Sequence, residues 1–259
     1  MRRFEDADRK ELGGLKYILF DVDDTVTNSG KLTSEAYSAM WRLNERGLRL
    51  IPVTGRPAGW CDMMLREWPV YAVVCENGAF VYDYDPTGHV RMIRHPLAAA
   101  DPQGLLEPVK KAVFSAFPAM RAAHDQFARI YDAAFDFAED EPKLPLETAY
   151  AAAELCRSMG AEAKVSSIHV NAWFGAYSKA DMALKYLKEY CKVSDISSEA
   201  IFFGDSPNDE PMFAAFPLSC AVSNISPFID RMNRLPAYIL EKAGGYGFAE
   251  AADIILKSI

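Results

Sequence analysis

Apolar and polar positions along this chain follow two periods. Mostly apolar runs at residues 17–20, 48–53, 71–75, 200–203 and 218–222 have the length and bounds of buried strands. Between the first of these runs apolar residues recur at helical spacing. Over 34–46, Ala36, Met40 and Leu43 share one face, Thr33 offers an N-cap and Gly47 a C-terminal stop. Pro57 suits the first turn of a second helix running to Trp68. Strand, helix, strand, helix, strand predicts an α/β fold, a doubly wound parallel sheet.

From Phe80 the pattern changes. Residues 80–84 and 89–94 alternate around Asp85-Pro86-Thr87-Gly88 and read as a β-hairpin. A helix over 101–117, a strand within 127–137, a charged loop over 139–145, an Ala-rich helix over 146–159 and one strand over 163–174 follow. Residues 84–175 therefore read as an inserted α+β module, and 1–83 plus 176–259 as the domain that carries it. The doubly wound pattern resumes with a helix capped by Ser178, strands at 200–203 and 218–222, and helices over 210–215 and 226–234. An edge strand at 238–240, a glycine loop over 244–247 and a last helix over 248–259 close the chain.

Composition narrows the function. The 259 residues are 50% hydrophobic and 25% charged, enough for two unequal domains. The net charge is −8 and no basic patch dominates, which argues against nucleic acid and anionic membranes as partners. An acidic protein handling an anionic substrate needs local cations instead. The cysteines (Cys61, Cys75, Cys156, Cys191 and Cys220) are scattered and never form a Cys-x-x-Cys pair. That usage predicts reduced thiols and a cytoplasmic location. The charged start lacks the apolar stretch of a signal peptide, and no stretch approaches the length of a membrane span. A monomer or homodimer is expected.

The chemistry gathers at strand ends. Asp21, Asp23, Asp24 and Thr25 directly follow the first apolar run. Ligands of open α/β sheets bind at the carboxyl ends of strands. Carboxylates this close repel unless a cation or proton intervenes, and Mg²⁺ suits clustered carboxylate oxygens. Alone, the stretch reads as an acidic, capped turn. Its company at equivalent places decides otherwise: Thr54, Lys179, and Asp205 with Asn208 and Asp209.

In this order the set resembles the haloacid dehalogenase superfamily of phosphohydrolases. Asp21-x-Asp23-x-Thr25 matches its first motif, Thr54-Gly55-Arg56 its second, Lys179 its third, and Gly204-Asp205-x-x-Asn208-Asp209-x-x-Met212 its fourth. The position of the insertion is similar to that of members with a large α/β cap: Cof-like sugar phosphatases, sucrose-phosphate phosphatase, mannosyl-phosphoglycerate phosphatase and phosphomannomutase. The resemblance implies a Rossmann-like core and a Mg²⁺-dependent phosphatase acting on a small phosphate ester, expected to be a sugar phosphate. It implies Asp21 as nucleophile, Asp23 as general acid, and metal ligation by Asp21, the backbone carbonyl of Asp23, Asp205 and Asp209. Thr54, Gly55, Lys179 and Asn208 would hold phosphate. Arg56, Asn77, Arg129, His169 and Asn171 are the candidates for the rest of the substrate. A phosphomutase using the same nucleophile, and a non-catalytic sugar-phosphate binding protein, are the alternatives.

Overall fold

The computed structural model describes residues 1–166 and 168–259. Its main sheet has six parallel strands in the order Arg2–Arg3, Tyr238–Ile239, Ser219–Ala221, Ala200–Gly204, Tyr17–Phe20 and Arg49–Pro52. Successive residues of Tyr17–Phe20 point to opposite faces. Ile18 and Phe20 join the apolar cluster under the helices Ser34–Glu45 and Gly244–Leu256, and Tyr17 and Leu19 join the cluster under Lys179–Glu189. Helices on both faces explain why the strands are continuously apolar. Phe20, Phe202 and Phe203 are fully buried, and such burial is worth about 1.5–3 kcal/mol per large side chain.

Register then places the chemistry. Phe20 pairs with Phe203 on one side and Pro52 on the other. The next residues, Asp21, Gly204-Asp205 and Val53-Thr54, therefore emerge together at the carboxyl edge. Val53 bridges in parallel to Val74, which attaches a three-stranded antiparallel sheet of Ala72–Cys75, Phe80–Tyr84 and Val90–Arg94. By this pairing the hairpin continues the core sheet.

The inserted module has its own four-stranded antiparallel sheet, ordered Glu162–Val165, His169–Trp173, Asp132–Asp136 and Arg121–Ala122. One face carries Ala133, Phe135, Ala163, Val170 and Ala172, packed on Leu106, Val109 and Val113 of the helix Pro102–Ala116 and on Ala149, Ala152 and Ala153 of Leu146–Ser158. The other face carries Asp132, Lys164, His169 and Asn171, which the two-residue alternation turns away from that cluster.

Five expectations are corrected. The single strand over 163–174 is two strands, joined where the Ser166 hydroxyl accepts from the backbone of Ile168 and His169; Ser167 lies outside the described residues. The strand within 127–137 is confined to Asp132–Asp136, since Gln126–Ala128 forms a 3-10 turn. Tyr238–Ile239 is not an edge strand, because Arg2–Arg3 pairs beyond it. The glycines at 244–247 open the last helix, Gly244–Leu256. Gly245 sits so close to Thr33 and the Val26 carbonyl that a Cβ would collide with both, so here glycine serves close packing, not a turn. The helix expected over 226–234 is a 3-10 segment, Ser223–Arg231, with Pro227 inside it. Among the described residues no helix is long and apolar enough to cross a membrane. All five cysteines are free.

Candidate active site

Ser178 caps the helix Lys179–Glu189, its hydroxyl accepting from the Asp181 N–H, and so starts that helix at the strand ends. Lys179 Nζ donates to Asp21 Oδ1 at 2.8 Å and lies 3.5 Å from Asp209 Oδ1. Asp21, Asp205 and Asp209 are buried, with ligand oxygens all within 4.8 Å of one another. Gly204 makes this approach possible, because a Cβ there would collide with the Asp209 carboxylate. Asp205 accepts from Thr25 Oγ1 at 3.0 Å, and Asp209 Oδ2 accepts from the Asp205 N–H at 3.0 Å.

The electrostatics show what this cluster lacks. Burial pushes Asp21 up to about 7, against the pull of Lys179 and with the push of Asp209 and Asp23. Burial, then Asp209 and Asp21, raises Asp205 well above the carboxylate range. Burial works against the charge of Lys179, but Asp21 and Asp209 outweigh it and hold its ammonium up. Asp209 Oδ1 is buried without a hydrogen-bond donor. One lysine does not neutralise three carboxylates. A hard divalent cation fits this oxygen set and would favour the ionised form of Asp21 and Asp205.

Next to the cluster, Arg56 grips Asp23: Nε donates to Oδ2 at 3.0 Å and Nη2 to Oδ1 at 2.8 Å. This two-pronged contact fixes the plane of the carboxylate. The Thr54 hydroxyl accepts from the Arg56 N–H at 3.0 Å. Of the residues predicted from sequence, all but Thr54 and Asp209 line one small chamber, and those two are fully buried behind it. Asn208 accepts from Ser206 Oγ at 3.1 Å at its rim.

The substrate candidates outside the motifs have partners in the protein. Asn77 and Asn171 both donate to Asp132 Oδ2, at 3.0 and 3.2 Å. Arg129 donates to Asp132 Oδ1 and to the Gly55 carbonyl, each at 2.9 Å, and to Asp125 Oδ1 at 3.1 Å. His169 Nε2 lies 2.8 Å from Glu139 Oε2, whose other oxygen accepts from Arg56 at 3.2 Å. These contacts tie the inserted sheet to the core.

Sequence reasoning missed Glu76, Asp132 and Glu139. Glu76 is fully buried, and its carboxylate accepts from the backbone N–H groups of Ala58, Ile130, Tyr131 and Asp132. Burial, then the charge of Asp132, pushes it up to about 7. Glu76 and Asn77 both have positive φ, 42° and 59°, a strained conformation that persists where surroundings over-determine it. The available signal was an acid at a strand end beside Asn77-Gly78.

Glu139 supplies a pH test. His169, then Arg56, overcome burial and hold its carboxyl down at about 2, from an ordinary 4.5. A lowered folded value means stability present above 4.5 and lost as pH falls toward about 2. The melting-temperature gap between wild type and Glu139→Gln is therefore expected to be widest above pH 4.5 and to narrow as pH falls to about 2. A gap independent of pH would show that the carboxylate charge does not join cap to core.

A family model described as haloacid dehalogenase-like hydrolase matches residues 18–115 and 166–234. The chain belongs to that family. Among curated relatives, a phosphoglycolate phosphatase of Pyrobaculum neutrophilum is 27% identical over 94% of this chain and 96% of its own length. A Thermoplasma acidophilum crystal structure superposes with a TM-score of 0.73 at 18% identity, covering 95% of this chain and 99% of that one. The sucrose-phosphatase of Synechocystis, solved with sucrose and phosphate, superposes with a TM-score of 0.63 at 16% identity, covering 93% and 98%. These structures share the fold of core and cap together.

Proposed function

We propose that this phosphatase hydrolyses a small phosphate monoester through an aspartyl-phosphate on Asp21, with Mg²⁺ held by Asp21, Asp205, Asp209 and the backbone carbonyl of Asp23. The observation that carries this reading is the buried Asp21–Asp205–Asp209 cluster with Lys179 against the nucleophile. When bound, Mg²⁺ supplies charge neutralisation for the carboxylates and the phosphoryl oxygens. An Asp21 oxygen attacks phosphorus, and the leaving oxygen takes its proton from Asp23, which Arg56 holds in place. In the second step Asp23 takes a proton from water, which attacks the aspartyl-phosphate and frees Asp21. Lys179, Gly55 and Asn208, which line the chamber, hold phosphoryl oxygens, Thr54 supports the Arg56 backbone from behind it, and the cap excludes bulk water during the first step.

Relatives named for phosphoglycolate and a fold neighbour that holds sucrose bracket the substrate class. Apart from Ile168 and Gly55, the chamber is lined by polar side chains, which suits a polar phosphate ester.

Phosphate release from a panel of sugar phosphates, phosphorylated acids and p-nitrophenyl phosphate tests the reading. Release is expected from at least one ester, lost with EDTA and restored by Mg²⁺. Feeding a hexose 1-phosphate and assaying for the 6-phosphate separates a mutase. No metal-dependent release from any ester would overturn the proposal.

A further inference from the structure

Lys164 enters neither the motifs nor the contacts that join cap to core. It lies on the edge strand Glu162–Val165 of the cap, directly opposite Asn171. With Asn77, Ser166, Asn171, Lys179 and Asn208 it lines a recess that adjoins the catalytic chamber. The other cations around it have acid partners. Arg56 pairs with Asp23 and Glu139, His169 with Glu139, Arg129 with Asp125 and Asp132, and Lys179 with Asp21. Among the described residues no carboxylate lies within ion-pair distance of Lys164. Burial, then the charge of Lys179, lowers the pKa of its ammonium, against the weaker pull of Asp209, Glu162 and Asp181. Two lysines sharing one recess repel each other unless anions sit against both.

The site assigns one anion to Lys179, the phosphoryl group at Asp21. We infer that Lys164 is a specificity residue that takes a second anion, a carboxylate at the far end of a short phosphorylated acid. This rests on the phosphatase reading and names its substrate class. The hydrogen-bonding capacity of the site agrees. The cap carboxylates that would accept from sugar hydroxyls, Asp132 and Glu139, already accept from Asn77, Asn171, Arg129, Arg56 and His169. What faces the substrate is a cation, and a carboxylate needs only donors.

The test uses two esters that differ only in the far group, 2-phosphoglycolate and 2-hydroxyethyl phosphate, with p-nitrophenyl phosphate as a third. For wild type, kcat/KM is expected to favour the acid. Lys164→Met should lower the ratio of the two kcat/KM values by roughly 10–100-fold, the scale of a charge-assisted hydrogen bond, mainly through KM. Lys164→Arg should keep most of the ratio. A wild type without preference for the acid overturns the inference, without need of a variant. So does a Lys164→Met enzyme that loses activity equally on both esters, the mark of a structural role. In either case metal-dependent cleavage of the esters leaves the phosphatase reading standing. That reading fails separately, and takes the inference with it, if no ester releases phosphate with Mg²⁺.

Discussion

Asp21→Asn is expected to lower kcat by about 10⁴-fold or more while the protein melts close to the wild-type temperature. An amide has nearly the same shape as the carboxylate but is a poor nucleophile. Stability is preserved for a specific reason. Burial, then the charge of neighbouring acids, raises the pKa values of Asp21 and Asp205, so removing the Asp21 charge relieves an electrostatic cost. Lys179 keeps Asp209 at 3.5 Å as a partner. Initial rates and melting curves, with a search for protein-bound phosphate in the wild type, check this. Full activity in a normally melting Asp21→Asn protein would exclude the covalent route.

Arg129→Met is expected to cost about 3–5 kcal/mol of stability, because breaking a buried pair leaves its acids uncompensated. The Arg129 side chain is fully buried, as is that of Asp132, and the guanidinium also reaches the Gly55 carbonyl of the core. Cap and core therefore share one ion network. Reading Arg129 as a substrate contact, as the sequence suggested, predicts something different: normal stability with altered preference among esters. Urea unfolding and kcat/KM on the ester panel distinguish the two. A stability within about 1 kcal/mol of wild type would return Arg129 to the substrate side.

The candidate site was legible because its parts are local. Each motif is a few residues long, sits at the end of an apolar run and has a residue type that only ligand chemistry explains at that place. Asp21, Lys179 and Asp205 could be named before the strands were paired, since the fold class already implied a shared edge. The core helices were legible for a similar reason: Thr33 and Ser178 cap with their own side chains, within one turn.

Other features depended on contacts between distant segments. Glu76 meets residues 130–132, and Arg56 meets Glu139 from 83 positions away. No periodicity encodes which acid of an inserted module will face which base of the core; packing of the two sheets decides it. The same holds for Gly245, whose role rests on the approach of Thr33. It holds above all for Lys164. In the sequence it is one more lysine on an alternating strand. Only once the polar face of the cap sheet lies over the strand ends does it stand, among the described residues, as a cation with no acid at ion-pair distance. The sequence alone thus determined the candidate chemistry, because the acids and the lysine that the proposed reaction needs are set by residue type at strand ends. The tertiary structure decided what surrounds the substrate, because desolvation and charge matching arise only when the segments close on one another.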